Sequence, residues 1–275
     1  MKPNIPNMHV RAKRDWSLLV QAFLLPLAFV VGVGSFVLVA NGKSKPTKAP
    51  EGPPPSILMV GDSLSVGKFG EVVQRHLLRK YPVSAYASCG SSPEHWLTGE
   101  PDFITKCGYR QQTSDSTVSR DFTNGRPPRP TLTPKLTKLI KRHRPSILIV
   151  QLGTNWMDRS LTDAQMNDYL RRFVGEARRG SVQEIIWITP PDSSALRKTQ
   201  GRVHGLISQA ARRDGFQLVD SRGVTRYVLG KTGGDGVHYN SAASEAWARR
   251  IQGDLDSKLS RSARDRKFSP LKRES

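Results

Sequence analysis

From Ser56 to about residue 256, short apolar runs alternate with amphipathic segments, and this alternation constrains the fold of the 275-residue chain more than any other feature. Ser56–Val60 (SILMV), Val83–Ala87, Ser146–Leu152 (SILIVQL), Glu184–Ile188 (EIIWI) and Phe216–Val219 (FQLV) read as strands. Lys68–Arg79 carries Phe69, Val72, Val73, Leu77 and Leu78 at helical spacing. Leu136, Leu139 and Ile140 mark a helix that should begin near Thr133-Pro134, where Thr can cap and Pro suits the first turn. Thr162 and Gln165 form a capping box for a helix with the apolar face Met166, Tyr169, Leu170, Phe173 and Val174. A helical stretch around Arg202–Arg213 separates the last two strands, and Ser241–Leu259 closes the domain. Strands alternating with helices predict an α/β domain over residues 56–256: a three-layer α/β/α sandwich around a five-stranded parallel sheet.

Two segments interrupt the pattern. Residues 91–130 form a long irregular insertion, with Trp96, Phe103, Tyr109 and Phe122 set among Lys106, Arg110, Arg120, Arg126 and Arg129. Loops of that length are uncommon in a domain unless they serve a function or lack order. Ser221–His238 is a Gly-rich approach to the last helix.

The ends of the chain read differently. Trp16 to Gly42 holds no charged residue, and Leu18–Ala40 is almost wholly apolar, enough to cross a hydrocarbon core of ~30 Å. We read residues 1–15 as a cytoplasmic N-terminus and 16–42 as an uncleaved transmembrane signal anchor, a cleaved signal being the alternative. Residues 43–55 (KSKPTKAPEGPPP) then form a Pro/Lys-rich linker, and 257–275 a basic disordered tail. This layout predicts a single-pass inner-membrane protein whose main domain is exported, to a periplasmic or other extracytoplasmic space. The chain's two cysteines, Cys89 and Cys107, can close a disulfide in such a compartment; the alternative is two free thiols.

Charge belongs in the same map. Lys and Arg outnumber Asp and Glu by 43 to 23, a net +20, but +5 lies in residues 1–55 and +5 in residues 257–275. The central +10 carries no recognised nucleic-acid-binding motif, so the charge points to membrane headgroups or anionic polymers, with no nucleic acid expected.

Four short blocks carry chemistry. Gly61-Asp62-Ser63-Leu64-Ser65 follows the first strand directly, where a tight turn exposes a hydroxyl and aims backbone N–H groups outward. Asp235-Gly236-Val237-His238 precedes the closing helix, and a carboxylate three residues before an imidazole can fold back onto its Nδ1. Gly153-Thr154-Asn155 ends the strongest strand, placing an amide at the crevice where open α/β sheets bind ligands. Gly90 follows the second strand and can offer its N–H without a side chain in the way. Taken singly, each has a plainer role: Ser63 a helix cap, His238 a surface histidine, Asn155 and Gly90 turn residues. No metal-ligand spacing such as C-x-x-C occurs, and no cofactor is expected.

In this order the blocks resemble those of the SGNH hydrolases, also called GDSL esterases and lipases. The resemblance spans about residues 56–255; it departs in the third block, which often reads GxND but here has Trp156 after Asn155. It implies a flavodoxin-like SGNH hydrolase fold with Ser63 as nucleophile, His238 as base and Asp235 as its orienting carboxylate. Ser63, Gly90 and Asn155 would form the oxyanion hole. The implied activity is that of a serine ester hydrolase, and the exported setting suggests deacetylation of an anionic envelope glycan. The same residues would also serve an O-acyltransferase or a lipid esterase, and the fold an idle envelope-binding module.

Overall fold

The computed structural model describes residues 54–268. The cytoplasmic segment, the anchor and all but the last two residues of the linker lie outside them, and among the described residues no helix is long and apolar enough to cross a membrane.

β1 (Ile57–Gly61) and β7 (Ile147–Gln151) are wholly buried and parallel, with Ile57 opposite Ile147 and Gly61 opposite Gln151. β2 (Val83–Ser88) flanks β1 on its other side, and β8 (Glu184–Ile188) and β9 (Gln217–Val219) follow β7, all parallel. These are the five strands expected from the apolar runs. Successive side chains of a strand point to opposite faces, so each strand feeds two cores. Leu58, Val60, Leu148 and Val150 pack with α3 (Leu136–His143), α4 (Asp163–Gly180) and α5 (Arg197–Asp214). Ile57, Met59, Ile147 and Ile149 pack instead with α2 (Lys68–Leu77) and α6 (Ser241–Phe268). Helices thus cover both faces, giving the three layers.

The sheet itself departs from expectation. It has seven strands and is mixed, because the insertion supplies β4 (Tyr109–Gln112) and β5 (Thr117–Arg120), antiparallel beyond β2. Their sequences, YRQQ and TVSR, hold too few apolar residues to show a strand period. Tyr109 and Val118 join the core, and polar pairing adds to the β4 ladder: the buried Arg110 bonds Gln112 and Gln74 of α2, and the Gln74 amide donates to the Gln112 carbonyl. A separate two-stranded ribbon pairs β3 (Ile104–Thr105) with β6 (Thr131–Leu132).

Two boundaries also shift. Helix α3 starts at Leu136 with Lys135 at its N-cap, and the Thr133 hydroxyl is engaged with Ser88 rather than with the helix. Helix α6 runs on to Phe268, past the start assigned to a disordered tail, since a helix seeded by the buried Leu255 and Leu259 extends cheaply through Arg, Ala and Lys. Residues 269–275 of that tail lie outside the described residues.

Candidate functional site

The site is built at the carboxyl ends of the parallel strands. β1 ends on Gly61, where an added Cβ would sit 2.3 Å from the Ser65 Oγ, so only glycine allows the chain to turn this tightly. Asp62 then caps α1 (Ser63–Val66), its Oδ1 accepting from the Leu64 N–H at 3.0 Å. The cap sets Ser63 at the first position of the helix, half-exposed, while Asp62 is fully buried beneath it. Burial pushes the Asp62 carboxyl up to about 6, against the Leu64 N–H, the Thr154 and Gln151 side chains and the nearby His238. Its Oδ2 makes no full hydrogen bond, and neither do Gln151 Nε2 and Thr154 Oγ1.

His238 reaches Ser63 from the far end of the sheet. Its Nε2 lies 3.0 Å from the Ser63 Oγ and its Nδ1 2.6 Å from Asp235 Oδ2. The other carboxylate oxygen accepts from the Val237 and His238 N–H groups at 2.9 and 2.7 Å. Partial burial works to raise the Asp235 carboxyl, but these bonds from the His238 ring and the two N–H groups prevail and hold it at about 2. An ionised Asp235 requires the hydrogen on Nδ1, which leaves Nε2 to accept from the Ser63 hydroxyl. Tyr227, buried, braces the loop by donating to the His238 carbonyl and accepting from the Gly236 N–H. The Gly236 carbonyl accepts from Ser193 Oγ and from the Ser194 and Ala195 N–H groups.

Asn155 sits in a short 3-10 turn, Thr154–Trp156, after β7. One Nδ2 hydrogen goes to the Ser91 carbonyl at 2.9 Å, leaving the second for another acceptor. This bond ties Asn155 to the loop that starts at Gly90, whose φ of 79° suits glycine. Ser63, Asp235 and His238 are therefore linked directly, and Gly90 and Asn155 meet through Ser91. Cys89 and Cys107 form a disulfide that clasps the ends of β2 and β4 beside Gly90.

Sequence reasoning missed the residues that fix this second group. Glu94, 6% exposed, accepts from the Trp156 indole N–H at 2.8 Å and from Arg159. Trp96 donates to Ser91 Oγ, which in turn donates to the Gly61 carbonyl. The Gly90 loop is thereby anchored both to the Asn155 turn and to the strand end that bears Ser63. No spacing marks Glu94; its only signal is an acidic residue between prolyl and aromatic neighbours (PEHW) in the insertion.

The arrangement can take a proton from the Ser63 hydroxyl, and the Asp235 and His238 side chains are 54% and 51% exposed. The Asp235–His238 pair is accordingly open to solvent. Among the described residues no group of His, Cys, Asp or Glu is arranged to hold a metal ion.

No protein-family model matches the chain, and no curated protein matches it significantly. Solved structures do resemble it. The inhibitor-bound aryl esterase of M. smegmatis aligns with a TM-score of 0.51 at 15% identity, over 74% of this chain and 99% of that one. A catalytic mutant of an acetylxylan esterase from Geobacillus stearothermophilus gives 0.51 at 14% identity, over 74% and 95% of the two chains. A variant of an acetyl-xylooligosaccharide esterase from Geobacillus gives 0.50 at 15%, with the same coverage. At these identities the likeness concerns the backbone, and it establishes that the chain has the fold of these esterases.

Proposed function

We propose that the protein is a serine ester hydrolase that removes acetyl or other small acyl groups from a glycan or related polymer of the cell envelope. The observation that carries this reading is the bridge His238 makes between the Ser63 hydroxyl at 3.0 Å and the Asp235 carboxylate at 2.6 Å. The shared fold with an aryl esterase and an acetylxylan esterase supports the reaction class. The half-exposed His238 and Asp235 favour a polymer over a ligand that must be engulfed. The basic residues of the insertion favour an anionic one.

In this reading the Ser63 Oγ attacks the ester carbonyl carbon while its proton passes to His238 Nε2. The carbonyl π pair moves onto oxygen, where the N–H groups of Ser63 and Gly90 and the free Nδ2 hydrogen of Asn155 receive it. When the tetrahedral species collapses, the C–O bond to the alcohol breaks and His238 returns the proton to that oxygen. Water then attacks the acyl-serine, giving its proton to His238, and the carboxylic acid leaves as the Ser63 hydroxyl is restored. Asp235 stays ionised throughout and stabilises the imidazolium of each half-reaction. The apolar run at residues 18–40 would hold the catalytic domain at the outer face of the inner membrane.

The test is release of acetate from acetylated envelope polysaccharide by the full-length protein, with Ser63→Ala as control. Acetate release by the native chain and none by the variant is expected; equal release by both sinks the assignment. Acetate missing from solution but recovered as an ester on an added acceptor glycan would redirect the reading to acyl transfer.

A further inference from the structure

A partly buried aromatic ring, Phe103, stands beside the glycine that follows β2. A Cβ built on Gly90 would lie 3.4 Å from the Phe103 Cζ and 4.0 Å from the Cys107 Sγ, so a phenyl edge and the disulfide border the space a side chain would fill there. Phe103 has little room to withdraw. Its ring stacks on His95, with centroids 4.0 Å apart and planes 16° from parallel. Its carbonyl accepts from the Thr133 N–H at 2.8 Å, and the next residue enters the β3–β6 ribbon. His95 is fixed in turn, its Nδ1 accepting from the Ser92 N–H at 2.9 Å. Burial, with Arg159 and Lys135 nearby, brings the imidazole down to about 4, so the stacked ring is neutral.

The order of strands, β5-β4-β2-β1-β7-β8-β9, decides which part of an ester this ring meets. Ser63 follows the central β1. The His238 loop belongs to the β8–β9 side, where Gly236 is held by Ser194 and Ala195. Gly90, Phe103 and the disulfide belong to the β2–β4 side. Because the base must reach the leaving oxygen, the alcohol lies toward His238; with the carbonyl oxygen taken by the N–H donors, the direction left to the acyl substituent is away from His238, on the β2–β4 side where Phe103 stands.

We propose that Phe103, stacked on His95 and held by the Thr133 N–H, is a specificity-determining residue that admits acetyl and similarly short acyl groups and turns longer ones away. The inference rests on the ester-hydrolase reading and adds to it the residue that sets the limit on acyl length. It is tested by measuring kcat/KM of the full-length protein on p-nitrophenyl acetate, butyrate and hexanoate. Phe103→Ala should raise the hexanoate-to-acetate ratio of kcat/KM at least about tenfold. Phe103→Trp should lower the butyrate-to-acetate ratio. Phe103→Leu keeps an apolar contact with His95, and carries the same requirement of a raised ratio should the alanine variant not fold. A chain-length profile that is the same in native and variant proteins overturns the inference while leaving the hydrolase reading intact. If the native protein cleaves none of these esters and a fluorophosphonate probe does not label Ser63, the hydrolase reading falls and the inference with it.

Discussion

Replacing Asp62 with Asn should alter how the stability of this protein depends on pH. The carboxyl is wholly buried under the Ser63 turn, and burial raises it from 3.8 to about 6, with the Leu64 N–H, Thr154, Gln151 and His238 drawing it only partly back. The folded chain therefore holds this proton more tightly than the unfolded chain does. The group's favourable contribution is complete below its unfolded value and is lost as pH rises through about 6. A displacement of this size amounts to about 3 kcal/mol. Asn retains the acceptor that caps Leu64, since Asn and Asp are equivalent N-caps, but it cannot ionise. Whatever the amide costs beside the Gln151 Nε2 is the same at every pH, and it cancels when two pH values are compared. Urea unfolding of both full-length proteins at about pH 4 and about pH 7.5 provides the assay. The stability of the variant relative to native should rise by about 2–3 kcal/mol between those conditions. A difference that stays constant within about 0.5 kcal/mol would refute the reasoning, because the buried carboxyl would then titrate as an ordinary one.

Other perturbations address the second group of site residues. Asn155→Ala should lower kcat about 100- to 1000-fold on a small aryl acetate, with KM within about threefold; a loss confined to KM would show that the amide binds substrate without favouring the transition state. Glu94→Ala strands the buried Trp156 N–H and frees Arg159, so urea unfolding should register a loss of about 1–3 kcal/mol together with a lower kcat. Unchanged stability would mean that the Gly90 loop is held without Glu94. Replacing both Cys89 and Cys107 by Ser opens a loop with a sequence separation of 18, and thermal unfolding should report a loss of about 3 kcal/mol.

Much of this architecture is legible in the chain. The five parallel strands were marked by apolar runs such as SILIVQL and EIIWI, because a strand covered on both faces must be apolar nearly throughout. The Thr162–Gln165 capping box is present as read. β4 and β5 left no such mark: they form one end of the sheet, and the β4 ladder is supported by Arg110, Gln112 and Gln74, polar residues that carry no strand period. The same limit hid Glu94 and Tyr227, whose roles consist entirely of bonds to residues distant in sequence or in a separate turn.

Residue order alone determined that a serine follows the first strand in a tight turn, that a carboxylate stands three residues before a histidine, and that an amide and a glycine end two other strands. Those properties depend on neighbours along the chain, where turn geometry, capping and periodicity act. Tertiary structure alone decided that His238 arrives 3.0 Å from a serine 175 positions earlier, that Asp62 is sealed under it, and that Phe103 stands beside Gly90. Burial and long-range contact depend on which segments meet when the sheet assembles, and no local pattern of residues specifies that.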